Sequence, residues 1–208
     1  MRSAHPSWAI VSLFTLSCCL SGCIEKKAAS NLDWYDLNYK TMQLTRQNQH
    51  AVALPIAEQA LQLAEKINDS NHPNVATSLN NLAGIYEALG RKENAENSYR
   101  RAIGIYQKSA PVNNLLYGTA LNNLAMLYMN QERYSEAEPL LKQALKIGHE
   151  TRLKSQQFPM TVSNNLINLY LHQKKYSDAA QIYRSIGKEK EAGLLEKRLP
   201  ENPSVTQP

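Results

Sequence analysis

Apolar positions along the middle of the chain recur at three- and four-residue steps. Leu79, Leu82, Ile85, Tyr86 and Leu89 form one such stripe, the spacing of an amphipathic helix. Pro73 precedes it, where a missing N–H does little harm, and Gly90 follows it, as a left-handed helix cap requires. Ala95, Tyr99, Ala102, Ile103 and Tyr106 form a second stripe that predicts a helix over about residues 92–108. The pattern then repeats. Asn80-Asn81-Leu82-Ala83 recurs as Asn122-Asn123-Leu124-Ala125 and as Asn164-Asn165-Leu166-Ile167, 42 residues apart each time. A fixed period of this length marks stacked supersecondary units.

Whole columns share the period. Leu82, Leu124 and Leu166 align, as do Tyr86, Tyr128 and Tyr170; Ala95, Ala137 and Ala179; and Ala60, Ala102 and Ala144. Small residues let two helix backbones approach, and the tyrosines and leucines read as core. Ser135 and Glu138 have the spacing of a capping box for the second helix of the middle repeat. Pro139 lies just inside that helix, and Pro55 stands two periods earlier. Residues 32–69 therefore read as a degenerate first repeat, with Lys40 and Thr41 in its Leu-Ala columns. Residues 188–199 form a closing helix with Ala192, Leu195 and Leu199 on one side.

These columns resemble the tetratricopeptide repeat, and the 42-residue period, the His72-Pro73 lead-in and the Asn-Asn-Leu-Ala run resemble its kinesin-light-chain variety. The resemblance spans about residues 34–186. It implies an all-α fold, an α-solenoid built as a right-handed superhelix of antiparallel helix pairs with a C-terminal capping helix. The expected repeats are about 34–75, 76–117, 118–159 and 160–187, with the cap over 188–199, and the whole domain over 32–199. Residues 200–208, rich in proline, are expected to be a disordered tail.

The start of the chain reads differently. Arg2 precedes an apolar run, Ala9 to Leu20, too short for the ~20 residues that span a bilayer. Leu20-Ser21-Gly22-Cys23 follows and resembles a bacterial lipoprotein lipobox. The resemblance implies that residues 1–22 are a signal peptide, that Cys23 is lipidated, and that residues 23–31 tether the domain to the membrane. More than one acyl chain then anchors it stably. Ile24, where an aspartate would retain the protein at the inner membrane, implies the outer membrane facing the periplasm. Cys18 and Cys19 would leave with the signal, so no thiol chemistry remains.

Without Arg2 the mature chain carries 22 basic and 18 acidic residues, a net charge near +4. The basic pairs Lys26-Lys27, Arg100-Arg101 and Lys174-Lys175 are scattered rather than gathered into a stripe, which argues against a nucleic-acid partner. His50, His72, His149 and His172 make no metal pair, and there is no phosphate loop or nucleophile elbow. We expect no catalytic residue, metal or cofactor, and no enzyme.

In repeats of this kind the first helix of each pair lines the concave face. Helical periodicity puts Thr77, Asn80, Asn81 and Gly84 away from the core stripe. The equivalent positions are Thr119, Asn122, Asn123 and Met126, then Thr161, Asn164, Asn165 and Asn168; one turn on lie Glu87 and Ala88, Met129 and Asn130, and Leu171 and His172. An amide both donates and accepts, so a ladder of asparagines can hold an extended peptide backbone whatever its sequence. The same asparagines can instead pair with one another and hold the stack. The expected function is a lipid-anchored adaptor for a protein or peptide partner in the bacterial envelope, of the kind that pilots secretin or pilus subunits or docks cell-wall hydrolases. The alternative is a structural lipoprotein that self-associates into a homo-oligomer through an open end or its first repeat.

Overall fold

The computed structural model describes residues 33–109, 114–150 and 157–198. Cys23, the expected signal peptide and tether, and the tail lie outside them. The described residues form nine α-helices and no strand: α1 (Trp34–Arg46), α2 (His50–Ile67), α3 (Pro73–Ala88), α4 (Lys92–Lys108), α5 (Asn114–Met129), α6 (Tyr134–Glu150), α7 (Gln157–His172), α8 (Tyr176–Ser185) and α9 (Glu189–Glu196). None of them is long and apolar enough to cross a membrane.

Each helix packs on its neighbour in sequence, and α1, α3, α5 and α7 also touch one another in succession. The result is an α-solenoid of helix hairpins, with those four helices forming one row. The alanine columns are its hinge of closest approach. Ala53, Ala95, Ala137 and Ala179 are fully buried, as are Ala102 and Ala144. Around them Leu121, Leu127, Leu141, Leu166 and Leu169 fill the interior. α9 buries Ala192 and Leu195 and closes the end of the stack.

The turns follow one design. Asn48, Gly90, Glu132 and Lys174, each 42 residues from the next, all take positive φ, between 57° and 74°. The backbone closes each turn twice: at the second, Arg91 N–H donates to Tyr86 C=O at 2.8 Å and Gly90 N–H to Glu87 C=O at 2.9 Å. This is the Schellman arrangement. Gly90 is the one glycine among these four positions; a fifth turn of the same kind, before α9, has Gly187 at φ 76°.

Two expectations need correction. Ser135 does not cap α6. That helix starts at Tyr134, and Arg133 C=O already accepts from Ala137 N–H at 3.2 Å. The Schellman turn brings the chain into the helix two residues early, leaving Ser135 exposed inside it. α3 likewise begins at Pro73, three residues before the expected repeat boundary.

The first repeat is complete as a hairpin. Leu82 packs with Ala53 and Ala57 of the preceding repeat. Lys40, in the same column, lies on the first described helix and is exposed. Thr41 is buried in the alanine column because its hydroxyl donates to Leu37 C=O at 2.8 Å. Trp34, also buried, donates its indole Nε1–H to Ser78 Oγ at 2.8 Å and joins the first repeat to the second.

Candidate functional site

The row α1, α3, α5, α7 brings the asparagines together in a regular way. Asn81 Nδ2 donates to Asn38 Oδ1 at 2.7 Å, Asn123 Nδ2 to Asn80 Oδ1 at 3.3 Å, and Asn165 Nδ2 to Asn122 Oδ1 at 2.8 Å. Each bond joins the second amide of one repeat to the first amide of the repeat before it. Asn38 starts this column 42 residues before Asn80; the missing second asparagine hid it from the motif.

The bonds use half of each amide. Asn80 and Asn122 accept through Oδ1, which leaves their Nδ2 groups as donors. Asn81, Asn123 and Asn165 donate through Nδ2, which leaves their Oδ1 atoms as acceptors. An amide has two donor hydrogens and two acceptor lone pairs. The ladder therefore fixes each side chain's rotamer and still presents both kinds of group. Asn164 and Asn168 are exposed at the far end of the row. Thr41, Met42, Thr45 and Arg46 of α1, Asn80, Asn81 and Gly84 of α3, Tyr99 of α4 and Asn123 of α5 enclose a shallow cavity of about 240 Å³ on the same row.

The other predicted positions serve varied purposes. The Thr77 hydroxyl donates to Pro73 C=O at 3.0 Å and accepts from Tyr106 Oη at 2.9 Å, both within its own hairpin. Thr119 and Thr161 donate to the C=O of Leu115 and Gln157, each at 2.9 Å. Met126 is half-buried against the core. Asn130 donates to Glu87 Oε1 at 3.2 Å. His172 is exposed and stacks on Tyr134, ring centroids 5.7 Å apart. His72 caps α3 by accepting from Asn74 N–H through Nδ1 at 3.1 Å. No group of His, Cys, Asp and Glu able to hold a metal ion exists among the described residues.

Two features escaped the sequence reading. The first is a clamp between repeats. Tyr128 Oη donates to Glu96 Oε1 at 2.9 Å, and Arg133 lies over the Tyr128 ring, 4.1 Å from its centroid. One period on, Tyr170 Oη donates to Glu138 Oε1 at 3.2 Å, and Lys175 lies 5.7 Å from the Tyr170 ring. Arg91, Arg133 and Lys175 share the period, as do Glu96 and Glu138, so the signal was present in charged columns. The second feature is the bonding of Glu87, a position that helical periodicity places on the groove side one turn on from the asparagines. Glu87 accepts from Asn130 and, at 3.4 Å, from the buried Tyr99 hydroxyl. Burial pushes its carboxyl above the usual range. A Cβ added at Gly84 would meet the Tyr99 hydroxyl at 3.5 Å, an ordinary contact.

A stack of helix hairpins with a polar ladder along one row defines a helical-repeat solenoid. Models of the tetratricopeptide repeat match residues 41–108 and 118–152, so the chain carries tetratricopeptide repeats. No curated protein matches it in sequence. Among solved structures it is similar to a kinesin light chain of nearly identical TPR-like repeats from Podosopora anserina, at 19% identity and TM-score 0.63, over 79% of this chain and 91% of that one. It is similar to the apo form of RapI at 15% identity and TM-score 0.67, over 90% and 67%. It is also similar to the aspartyl phosphate phosphatase F of Bacillus subtilis at 17% identity and TM-score 0.54, over 79% and 38%. These likenesses are of fold. Solenoids of such repeats bind partners along an extended concave surface.

Proposed function

We propose that this protein is a non-catalytic adaptor that holds an extended segment of a protein partner along the α1, α3, α5, α7 row. The half-used asparagine ladder carries this reading. Alternate donors at Asn80 and Asn122 and acceptors at Asn81 and Asn123 match the alternating N–H and C=O groups of an extended backbone. The amides are already oriented, so little side-chain entropy is lost on binding. Both uses weighed from sequence then hold at once: one half of each amide joins repeats and the other half faces a ligand.

We further propose that Cys23 is lipidated after removal of residues 1–22 and that the adaptor sits at the bacterial outer membrane, facing the periplasm. An anchor concentrates the groove beside envelope partners, so even weak binding assembles a complex. Labelled palmitate should enter the protein and be lost in Cys23→Ala.

A photo-crosslinking residue placed at Asn164 or Asn168 should capture a partner in cells, while one at Arg101 or Lys146 on the outer helices should not. Alanine at Asn80, Asn122 and Asn164 together should abolish capture from Asn168 with helicity unchanged. Capture that persists would remove the groove assignment.

One observation favours a second reading, self-association. Tyr35, Tyr39 and Met42 are 66%, 63% and 40% exposed and lie at i, i+4, i+7 on α1, the first helix of the stack. Light scattering on residues 24–208 decides it: a strict monomer at high concentration excludes this reading.

A further inference from the structure

We propose that Glu87 is the specificity subsite of the ladder, accepting the lysine or arginine side chain of a bound extended peptide; this rests on the groove reading above. The ladder alone is blind to sequence, because amides read only backbone. A charged group at one position would give it a register.

Glu87 is such a group. It sits in the last turn of α3, half-buried, and its two bonds come from neutral donors, the Asn130 amide at 3.2 Å and the Tyr99 hydroxyl at 3.4 Å. Several other carboxylates of the stack meet cations: Glu96 and Glu136 meet Arg133, and Glu138 meets Lys142 and Lys175. Glu87, like Glu58 beside Tyr86, makes no ion pair among the described residues. A partly buried carboxylate without a cation is unfavourable, and a partner's cation would relieve that.

Its surroundings fit the role. Glu87 bonds the hydroxyl of Tyr99, which with Asn80, Asn81, Gly84, Asn123 and Arg46 helps to wall the cavity of about 240 Å³. Position 84 has no side chain to block the approach, whereas Met126 and Asn168 stand in the same column. The columns that hold Glu87 elsewhere hold Thr45, Met129 and Leu171. Within this column the negative charge is therefore confined to one repeat, which is what a register mark needs.

The test uses the full chain in detergent micelles and acetylated, amidated nonapeptides of fixed polar flanks with lysine, arginine, leucine or glutamate at the centre. Lysine and arginine peptides should bind about tenfold tighter than leucine peptides, the scale of one hydrogen-bonded charge. Glu87→Gln, which keeps side-chain size and acceptor, should erase that preference while leaving leucine-peptide binding unchanged. Glu87→Asp should restore part of it. A preference that survives Glu87→Gln, or binding indifferent to the central residue, overturns this proposal and leaves the groove reading standing. Absence of peptide binding, or binding unaffected by alanine at Asn80, Asn122 and Asn164, overturns both.

Discussion

Arg133 Nη1 lies 2.7 Å from Glu96 Oε2, across 37 residues and one repeat boundary. The same guanidinium stacks on Tyr128 and pairs through Nε with Glu136 at 2.6 Å. Its bonds hold the Glu96 carboxyl well below the usual 4.5, at about 2, with help from the Tyr128 hydroxyl. A carboxyl whose pKa is depressed by folding stabilises the native state above its unfolded pKa, and that contribution disappears as pH falls toward the folded value. Stability should therefore drop between pH 4.5 and 2. Glu96→Gln should lower stability at pH 7 and flatten that decline, as read by chemical denaturation across pH. An unchanged acid profile would discount the clamp.

The left-handed turns give a second prediction. Glu132 and Lys174 hold φ of 59° and 57° where Gly90 holds 74°. Left-handed backbone costs a residue with a Cβ about 1–2 kcal/mol, partly offset by the greater unfolded entropy of glycine. Glu132→Gly should thus raise stability by up to about 1 kcal/mol, and Gly90→Ala should lower it by about 1 kcal/mol. Melting temperatures of the two variants should move in opposite directions.

Two helical glycines should respond oppositely to the same change. An added Cβ at Gly104, inside α4, meets nothing within 4 Å. Gly104→Ala should stabilise by about 1 kcal/mol through helix propensity alone. At Gly118 the added Cβ would stand 3.0 Å from Phe158 Cζ and 3.3 Å from Ile147 Cγ2. Gly118→Ala should lose about 1–3 kcal/mol to overpacking, in excess of the propensity gain. Equal shifts in the two variants would show that the Phe158 slot gives way.

Two buried serines make a similar contrast. Ser78 is 1% exposed and accepts the Trp34 indole N–H at 2.8 Å. Ser78→Ala would orphan that donor at a cost of about 1–3 kcal/mol and loosen the first hairpin. Trp34 fluorescence should report this. Ser163 is equally buried, but its hydroxyl has no partner. Ser163→Ala removes an unsatisfied group and should be neutral or stabilising. Destabilisation at Ser163 equal to that at Ser78 would contradict the assignment.

Much of the architecture was legible because it is local. The spacing of Leu79, Leu82, Ile85 and Leu89 fixes a helix and its buried stripe, and the 42-residue period fixes that such helices stack in pairs. The range 92–108 for α4 follows from spacing along one helix, and the alanine columns and the degenerate first repeat follow from the 42-residue period. Helix starts were less legible. The turns are set by backbone hydrogen bonds that any residue can make, so Ser135 resembled a cap that Arg133 supplies instead.

What the amino acids alone determined is which faces are apolar and how often they return, since periodicity is a property of the chain. Which polar atoms meet depended on the tertiary structure. Asn123 reaches Asn80, Arg133 reaches Glu96 and Tyr99 reaches Glu87 only because adjacent helices settle at one relative rotation and height. Packing of the alanine and leucine columns selects that register. It thereby decides which half of each asparagine joins repeats and which half is left unbonded.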